Sequence, residues 1–290
     1  MKDYKNETMR LLYERASCRA FKDEKIPEEV LNEILEAGIH GATGGNLQPY
    51  SIIKIEDKKA KKRLVTECDM QSIVEKAPVN LLFCIDWRRI GRWAEACDAP
   101  FVATKSYRHF WISLQDTIIC AQNICTAADS LGLGSVYIGT VESCFIELKS
   151  MFNIPEGVFP VVLLSLGYPI KYPAPANKLG IEGIVHEEKY KDLPIERLLK
   201  LQDEKYNSKT FPNSETNLAE MRKVATDIGG EAYADAMLEK IMEVGHINMA
   251  QRYFGLHYQA NWSCIGNKDF IEALKAYGFT WIDGKDFPQK

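Results

Sequence analysis

The sequence predicts a β-sheet covered on both faces by helices. Two continuous apolar runs, Val79–Ile85 and Phe159–Leu166, have the length and density of buried strands. A long segment from about Tyr107 to Leu131 repeats apolar residues at helical spacing. Helical and strand patterns alternate around these segments, the ordering expected of a layered sheet-and-helix domain.

Taken in order, Glu7–Glu14 carries Met9, Leu11, Leu12 and Tyr13 and reads as a short helix. Periodicity breaks over Arg15–Phe21. Pro27 with Glu28 and Glu29 starts a second helix, with Pro at its first position and acids in its first turn. Val30, Leu31, Ile34, Leu35 and Gly38 fall on one face of it. The turn-forming stretch Gly41–Asn46 follows. Ser51–Ile55 reads as a strand, Lys58–Cys68 as a basic helix and Val79–Asp86 as a second strand. On the 107–131 segment, Trp111, Leu114, Ile118, Ala121, Cys125 and Ala128 mark the expected buried face. Gly132 and Gly134 end that helix, Ser135–Gly139 is a short strand and turn, Val141–Met151 a short helix, and Pro160–Gly167 a strongly apolar strand. Lys200–Glu220 is polar, Tyr233–Ile247 is helical in pattern, and Phe270–Tyr277 reads as a last short helix. The division expected is a core over 1–200 and an extension over 201–290, too apolar to be a linker, that packs on the core or on a partner subunit.

Composition narrows the function. The 290 residues are 46% apolar and 26% charged, ordinary globular usage, with a formal net charge of −4. No basic face is implied, so nucleic acid is not an expected partner. No apolar run approaches the roughly 18 residues of a membrane helix. The polar start Met1–Lys5 has no apolar signal core, so a cytoplasmic location is expected. Eight Cys include no Cys-x-x-Cys pair, and the five His show no zinc spacing, so neither a disulfide framework nor a bound metal is expected.

Three local features are candidates for chemistry. In Arg15-x-Ser17-x-Arg19, alternate residues of an extended segment present two guanidinium groups and a hydroxyl together, a set suited to phosphate, although a solvated turn carries the same residues. Thr43-Gly44-Gly45-Asn46-Leu47-Gln48-Pro49 lets backbone approach a flat ligand, with Asn46 and Gln48 able to donate and accept; a plain helix-to-strand loop is the simpler reading. It is no Walker loop, because no Gly-Lys-Ser/Thr follows. Gly132–Gly139 precedes a strand rather than following one, so it is not a dinucleotide fingerprint, and its glycines either cap a helix or present amides to a ligand.

Taken together and in order, these features resemble the FMN-dependent nitroreductase family, and within it the larger NADPH-type oxygen-insensitive nitroreductases and flavin reductases. The resemblance rests on Ala16-Ser17-Cys18-Arg19-Ala20-Phe21, on Gly44–Ser51, on Ala121-Gln122-Asn123, on Ser130–Gly139, on Leu166-Gly167-Tyr168-Pro169 and on Ile184–Glu187 with Tyr190. It covers roughly residues 8–200. It implies an α+β, three-layer α/β/α sandwich with a mixed, mainly antiparallel sheet and a C-terminal helical extension. It implies that Arg15, Ser17, Arg19 and Lys178 hold the FMN phosphate. Thr43, Gly44, Gly45 and Asn46 would line the ring and ribityl chain, Gln71 would bond the pyrimidine end, and Tyr137, Ile138 and Gly139 would lie against the ring, the Gly139 backbone near N5. Departures from the pattern are Ala16 for the first Arg, Arg15 for a subgroup His, Ala176 for a basic residue, Thr140 for a second glycine, and a longer 213–258 stretch.

The activity implied is ping-pong reduction of a small-molecule electron acceptor, a nitroaromatic, quinone or free flavin, by NADPH or NADH through flavin N5, in a cytoplasmic homodimer. No side chain is singled out as catalytic. The alternatives are a specialised flavin reaction on the same fold, such as reductive dehalogenation, and a flavin-binding or sensing protein without turnover.

Overall fold

The structure is a computed structural model and describes residues 3–284. The chain forms two compact units. The first runs through Pro175 and resumes at Lys268; the second is Ala176–Asn267. The boundary between these two compact units lies at 175/176, and the residues from Lys268 onward group with the first.

In the first unit the elements are α1 (Glu7–Glu14), α2 (Glu28–Ile39), β1 (Tyr50–Ile55), α3 (Lys58–Glu67), the single turn α4 (Ile73–Lys76), β2 (Val79–Asp86), α5 (Trp87–Ala96), α6 (Tyr107–Ser130), β3 (Gly134–Ile138), α7 (Phe145–Met151) and β4 (Val158–Gly167). The second unit holds α8 (Ile195–Tyr206), α9 (Glu215–Gly229), α10 (Glu231–Val244) and the short α11 (Met249–Arg252). The chain then returns through α12 (Asn267–Ala276).

The four strands lie in the order β1-β2-β4-β3, and each neighbouring pair is antiparallel. Among the described residues the one parallel pairing is an isolated bridge, Ser17 to Ser135, outside β3's free edge. Alternate strand residues feed two cores. Leu81 and Phe83 of β2 and Leu164 and Leu166 of β4 pack beneath α2 and α6 with Ile34, Ile124 and Cys125. Leu82 and Cys84 of β2 and Phe159 and Leu163 of β4 face the other way, onto Leu64 of α3, Val74 of α4, Leu148 of α7 and Leu274 of α12. At a register shift between Phe83 and Cys84, Val161 of β4 is left unpaired, and Ile85 beyond it also belongs to the second core. The result is the expected α+β arrangement of a sheet between two helical layers.

α12 is locked to this core by Tyr277 and Phe279, both fully buried. The Tyr277 hydroxyl donates to the Phe145 carbonyl at 2.6 Å, and the Gly157 amide donates to the Tyr277 carbonyl at 2.8 Å. In the second unit Met221, Ile241 and Ile247 form a small core.

Two sequence expectations are corrected, and two features the sequence reading did not assign are added. The buried face of α6 carries Ser113, Thr117, Cys120, Ala121, Ile124, Cys125 and Ala128, whereas Trp111 and Ile118 are exposed. Ser113 and Thr117 can be buried because each hydroxyl donates to a carbonyl four residues back, at 2.7 and 2.6 Å. Residues 141–151 are not one helix: a 3₁₀ turn over Thr140–Ser143 is separated from α7 by the non-helical Cys144. The polar stretch 200–220 contains the end of α8 and the start of α9, the latter capped by Ser214. Finally, α5 starts where β2 stops, because Asp86 closes the strand and also caps the helix, accepting from the Arg89 amide at 2.9 Å.

Candidate functional site

The segment after α1 is extended because it docks on the edge of the sheet. The Cys18 amide donates to the Ser135 carbonyl at 2.8 Å, the Lys22 amide to the Tyr168 carbonyl at 2.8 Å, and the Ile170 amide to the Ala20 carbonyl at 3.0 Å. Ala16 and Cys18 are buried, while Arg15 and Ser17 are half-buried and Arg19 is exposed. That alternation puts Arg15, Ser17 and Arg19 on the outward side of the segment. Gly134 makes the docking possible. A Cβ there would lie 2.6 Å from the Cys18 Cβ and 2.9 Å from its Sγ. The neighbouring Gly132 instead turns the chain out of α6, at φ +79°.

Arg15 enters a partly buried polar cluster. Its Nε is buried without a hydrogen-bond partner, and so are the Tyr137 hydroxyl and the Thr140 hydroxyl. Asp129, on the last turn of α6, faces this cluster and accepts a hydrogen bond from the Tyr172 hydroxyl. Burial pushes the Asp129 carboxyl above the ordinary carboxylate range, against the pull of Tyr172 and of the Arg15 charge. Burial also raises the Tyr137 hydroxyl, which sits against the Cys125 thiol. An unpartnered guanidinium nitrogen buried in this cluster calls for an explanation. A polar ligand supplies one: an orphaned guanidinium nitrogen, followed by Ser17 and the exposed Arg19, matches the donor set a phosphate needs. The residues present therefore fit the phosphate of FMN.

The loop after α2 is shaped by backbone conformation. Gly45, Asn46 and Gln48 have φ of +61°, +56° and +49°. Gln48 is fully engaged: its amide donates to the Thr43 hydroxyl at 3.3 Å and its side chain to the Ile39 carbonyl at 3.2 Å, so it braces the loop instead of offering itself to a ligand. The Gly44 amide donates to both oxygens of Asp116, at 3.2 and 3.1 Å. Asp116 is buried on α6, and burial raises its carboxyl while the Gly44 amide opposes the rise.

Gln71 is exposed just before α4. Its segment is pinned on both sides. The buried Lys61 ammonium donates to the Ala77 carbonyl at 2.7 Å, and the Asn80 side chain donates to the Val74 carbonyl at 2.9 Å. Cys68 and Cys144 share one core with Ile138 and Val141, and the Cys144 thiol donates to the Thr140 and Val141 carbonyls at 3.6 and 3.7 Å. Ile138 at the end of β3 and the residues flanking Gln71 thus share one core, while Tyr137 packs on the opposite side of the sheet. Gly139 is exposed with open space above its Cα.

The structure therefore brings Ser17 onto Ser135 and Arg15 toward Tyr137, leaves Arg19 exposed farther along the same segment, and sets the residues flanking Gln71 in one core with Ile138. Thr43–Asn46 are not part of this group. They meet α6 at Asp116, whereas Arg15 faces Asp129, thirteen residues along the same helix. At 1.5 Å per residue the two points are about 20 Å apart along the axis. Lys178 is exposed in an irregular stretch of the second unit. The residues that sequence reasoning missed are Asp116, Asp129 and Tyr172. The signal for the two acids was a carboxylate recurring on the inner face of an otherwise apolar helix.

A model described as the nitroreductase family matches residues 12–168. The chain is 32% identical over 186 residues to an FMN reductase [NAD(P)H] of Bacillus subtilis, covering 64% of this chain and 75% of the relative. It is 32% identical over 197 residues to an oxygen-insensitive NADPH nitroreductase of Salmonella typhimurium, covering 68% and 80%. Among solved structures, B. megaterium NfrA2 is similar with a TM-score of 0.72 at 25% identity, over 95% of this chain and 99% of that one.

Proposed function

The chain belongs to the nitroreductase family, and on that premise we propose that it is an FMN-dependent NAD(P)H oxidoreductase that reduces flat small-molecule acceptors. The observation that carries the reading is the docked Arg15–Arg19 segment, which sets an unpartnered guanidinium nitrogen near Tyr137. FMN, when bound, supplies a two-electron carrier that takes hydride from the nucleotide and gives it to the acceptor.

The chain's own residues hold and tune that cofactor. Arg15, Ser17 and Arg19 bind its phosphate with charge-assisted hydrogen bonds. Arg19 and Gln71 are also the donors assigned to the electron-rich end of the ring, where preorganised hydrogen bonds stabilise negative charge. The backbone at the Tyr137-Ile138-Gly139 strand end is the surface against the ring, and the open space over Gly139 admits a flat partner. Donor and acceptor use that slot in turn, which is ping-pong exchange. Nitroaromatics, quinones and free flavins share the flat shape it requires.

The working form is a homodimer. Within one chain Thr43–Asn46 lie about 20 Å along α6 from the arginine cluster, so a second copy is the natural source of the loop that completes each site. Tyr107, Trp111 and Ile118, 70%, 61% and 40% exposed on one side of α6, are the apolar face for it.

Steady-state NADPH oxidation with a quinone, both substrates varied, tests the exchange. Parallel double-reciprocal lines are expected. Intersecting lines would rule out a single shared slot, and no oxidation would remove the enzyme reading.

A further inference from the structure

A second cavity lies away from the β3 edge, at the opposite edge of the sheet. It has a volume of about 540 Å³ and sits between β1, α5 and the Phe152–Pro155 loop. That is the size range of small-ligand sites. Three arginines line it, Arg88, Arg89 and Arg92, with Asp86 as the one acid. Both Asp86 and Arg89 are already committed. Asp86 is buried, caps α5 and accepts from the Ser51 hydroxyl. Arg89 donates to the carbonyls of Gln48 and Tyr50.

Arg88 and Arg92 are the uncommitted pair. They are exposed, one helical turn apart on the same face of α5, and neither lies within ion-pair distance of a carboxylate among the described residues. Both arginines also line a neighbouring cavity, where the acids are Glu95 and Glu156. Next to them Trp93 leaves 63% of its surface exposed while lining the same cavity as the arginines. Two guanidinium groups at this spacing suit a doubly charged phosphate, and an exposed indole beside them suits a base stacked on its face. Asp86 occupies the helix end, so the attraction comes from the arginine side chains and not from the helix dipole.

We propose that the α5 cavity binds a nucleoside monophosphate, with Arg88 and Arg92 on the phosphate and Trp93 against the base. The proposal rests on this cavity alone and is independent of the flavin reading.

The test is equilibrium dialysis of radiolabelled AMP against the full chain saturated with FMN, with adenosine and inorganic phosphate as competitors. One saturable AMP per chain is expected. Its dissociation constant should rise about tenfold or more in the Arg88→Ala/Arg92→Ala variant, and also on moving to about 0.3 M salt. Trp93→Ala should weaken AMP without changing the weaker binding of phosphate, and adenosine should compete poorly. The double variant should keep the parent melting temperature, since both side chains are exposed. No saturable AMP would overturn the proposal, as would AMP binding unchanged in the double variant. Phosphate competing as well as AMP would overturn the nucleotide assignment.

Discussion

Two glycines in one short motif make the sharpest test of how the phosphate segment is held. Replacing Gly134 with Ala puts a methyl 2.6 Å from the Cys18 Cβ, roughly 1 Å inside normal carbon contact. Both Cβ positions are fixed by the main chain, so the docked segment must move outward. Overpacking of this kind costs about 1–3 kcal/mol. The shift also strains the hydrogen bonds from Cys18 and Lys22, each contributing about 1 kcal/mol. Arg15, Ser17 and Arg19 ride on that segment, so FMN affinity should fall about 10- to 100-fold, or roughly 1.4–2.7 kcal/mol. Gly132→Ala is the control. It forces Ala to φ +79° and costs about 1 kcal/mol of stability, but nothing lies within 4 Å of the new Cβ and the docked segment is untouched. Urea unfolding and flavin-fluorescence titration on both variants give the comparison. Loss of FMN affinity confined to Gly134→Ala is expected. Equal FMN affinity in the two variants would refute the docking argument.

The same geometry sets other outcomes. Arg19→Ala should weaken FMN retention by about 1.5–3 kcal/mol, read by ultrafiltration of the loaded protein, and unchanged retention would remove Arg19 from the site. Tyr277→Phe leaves the buried Phe145 carbonyl without its donor and should cost about 1–3 kcal/mol in urea, while a neutral result would mean the return of α12 is held by packing alone. Burial raises Asp116 and Asp129 in the folded chain, so the native state binds more protons than the unfolded one between the ordinary value of about 3.9 and the raised value. Relative to Asp116→Asn, wild-type stability should therefore fall as pH rises from about 4 and then level off; a difference growing with pH would contradict the burial account. Trp111→Glu should convert a sedimenting dimer to monomer and release FMN, and a wild type that sediments as a monomer would remove the composite site.

The layered fold was legible because its strands are continuous apolar runs and its helices carry clear faces. β2, Val79–Asp86, needed only its composition. α5 was hidden because Asp86 ends one element and caps the next, leaving no turn residues between them, and because Arg88, Arg89 and Arg92 dilute its apolar signal. α6 was placed correctly, with Ala121, Cys125 and Ala128 inside as expected, but hydropathy also put Trp111 and Ile118 inside, where Ser113 and Thr117 are buried instead. The hydroxyls reverse that by bonding their own helix, and the apolar side chains stay outside as a candidate interface. In the site, the Arg-x-Ser-x-Arg spacing and the order of the glycine motifs were readable. The supports were not, because Asp116 holding Gly44 and Asp129 facing Arg15 are contacts across long sequence separations.

The central claim, a flavin held by the Arg15–Arg19 segment and reduced by a pyridine nucleotide, is tested most directly by one absorption experiment. The purified protein, loaded with FMN and freed of excess, is placed under anaerobic conditions and NADPH is added. An oxidised-flavin spectrum that bleaches and is restored by a nitroaromatic or quinone is expected. A protein that retains no FMN, or a bound flavin that resists both NADPH and NADH, would contradict it.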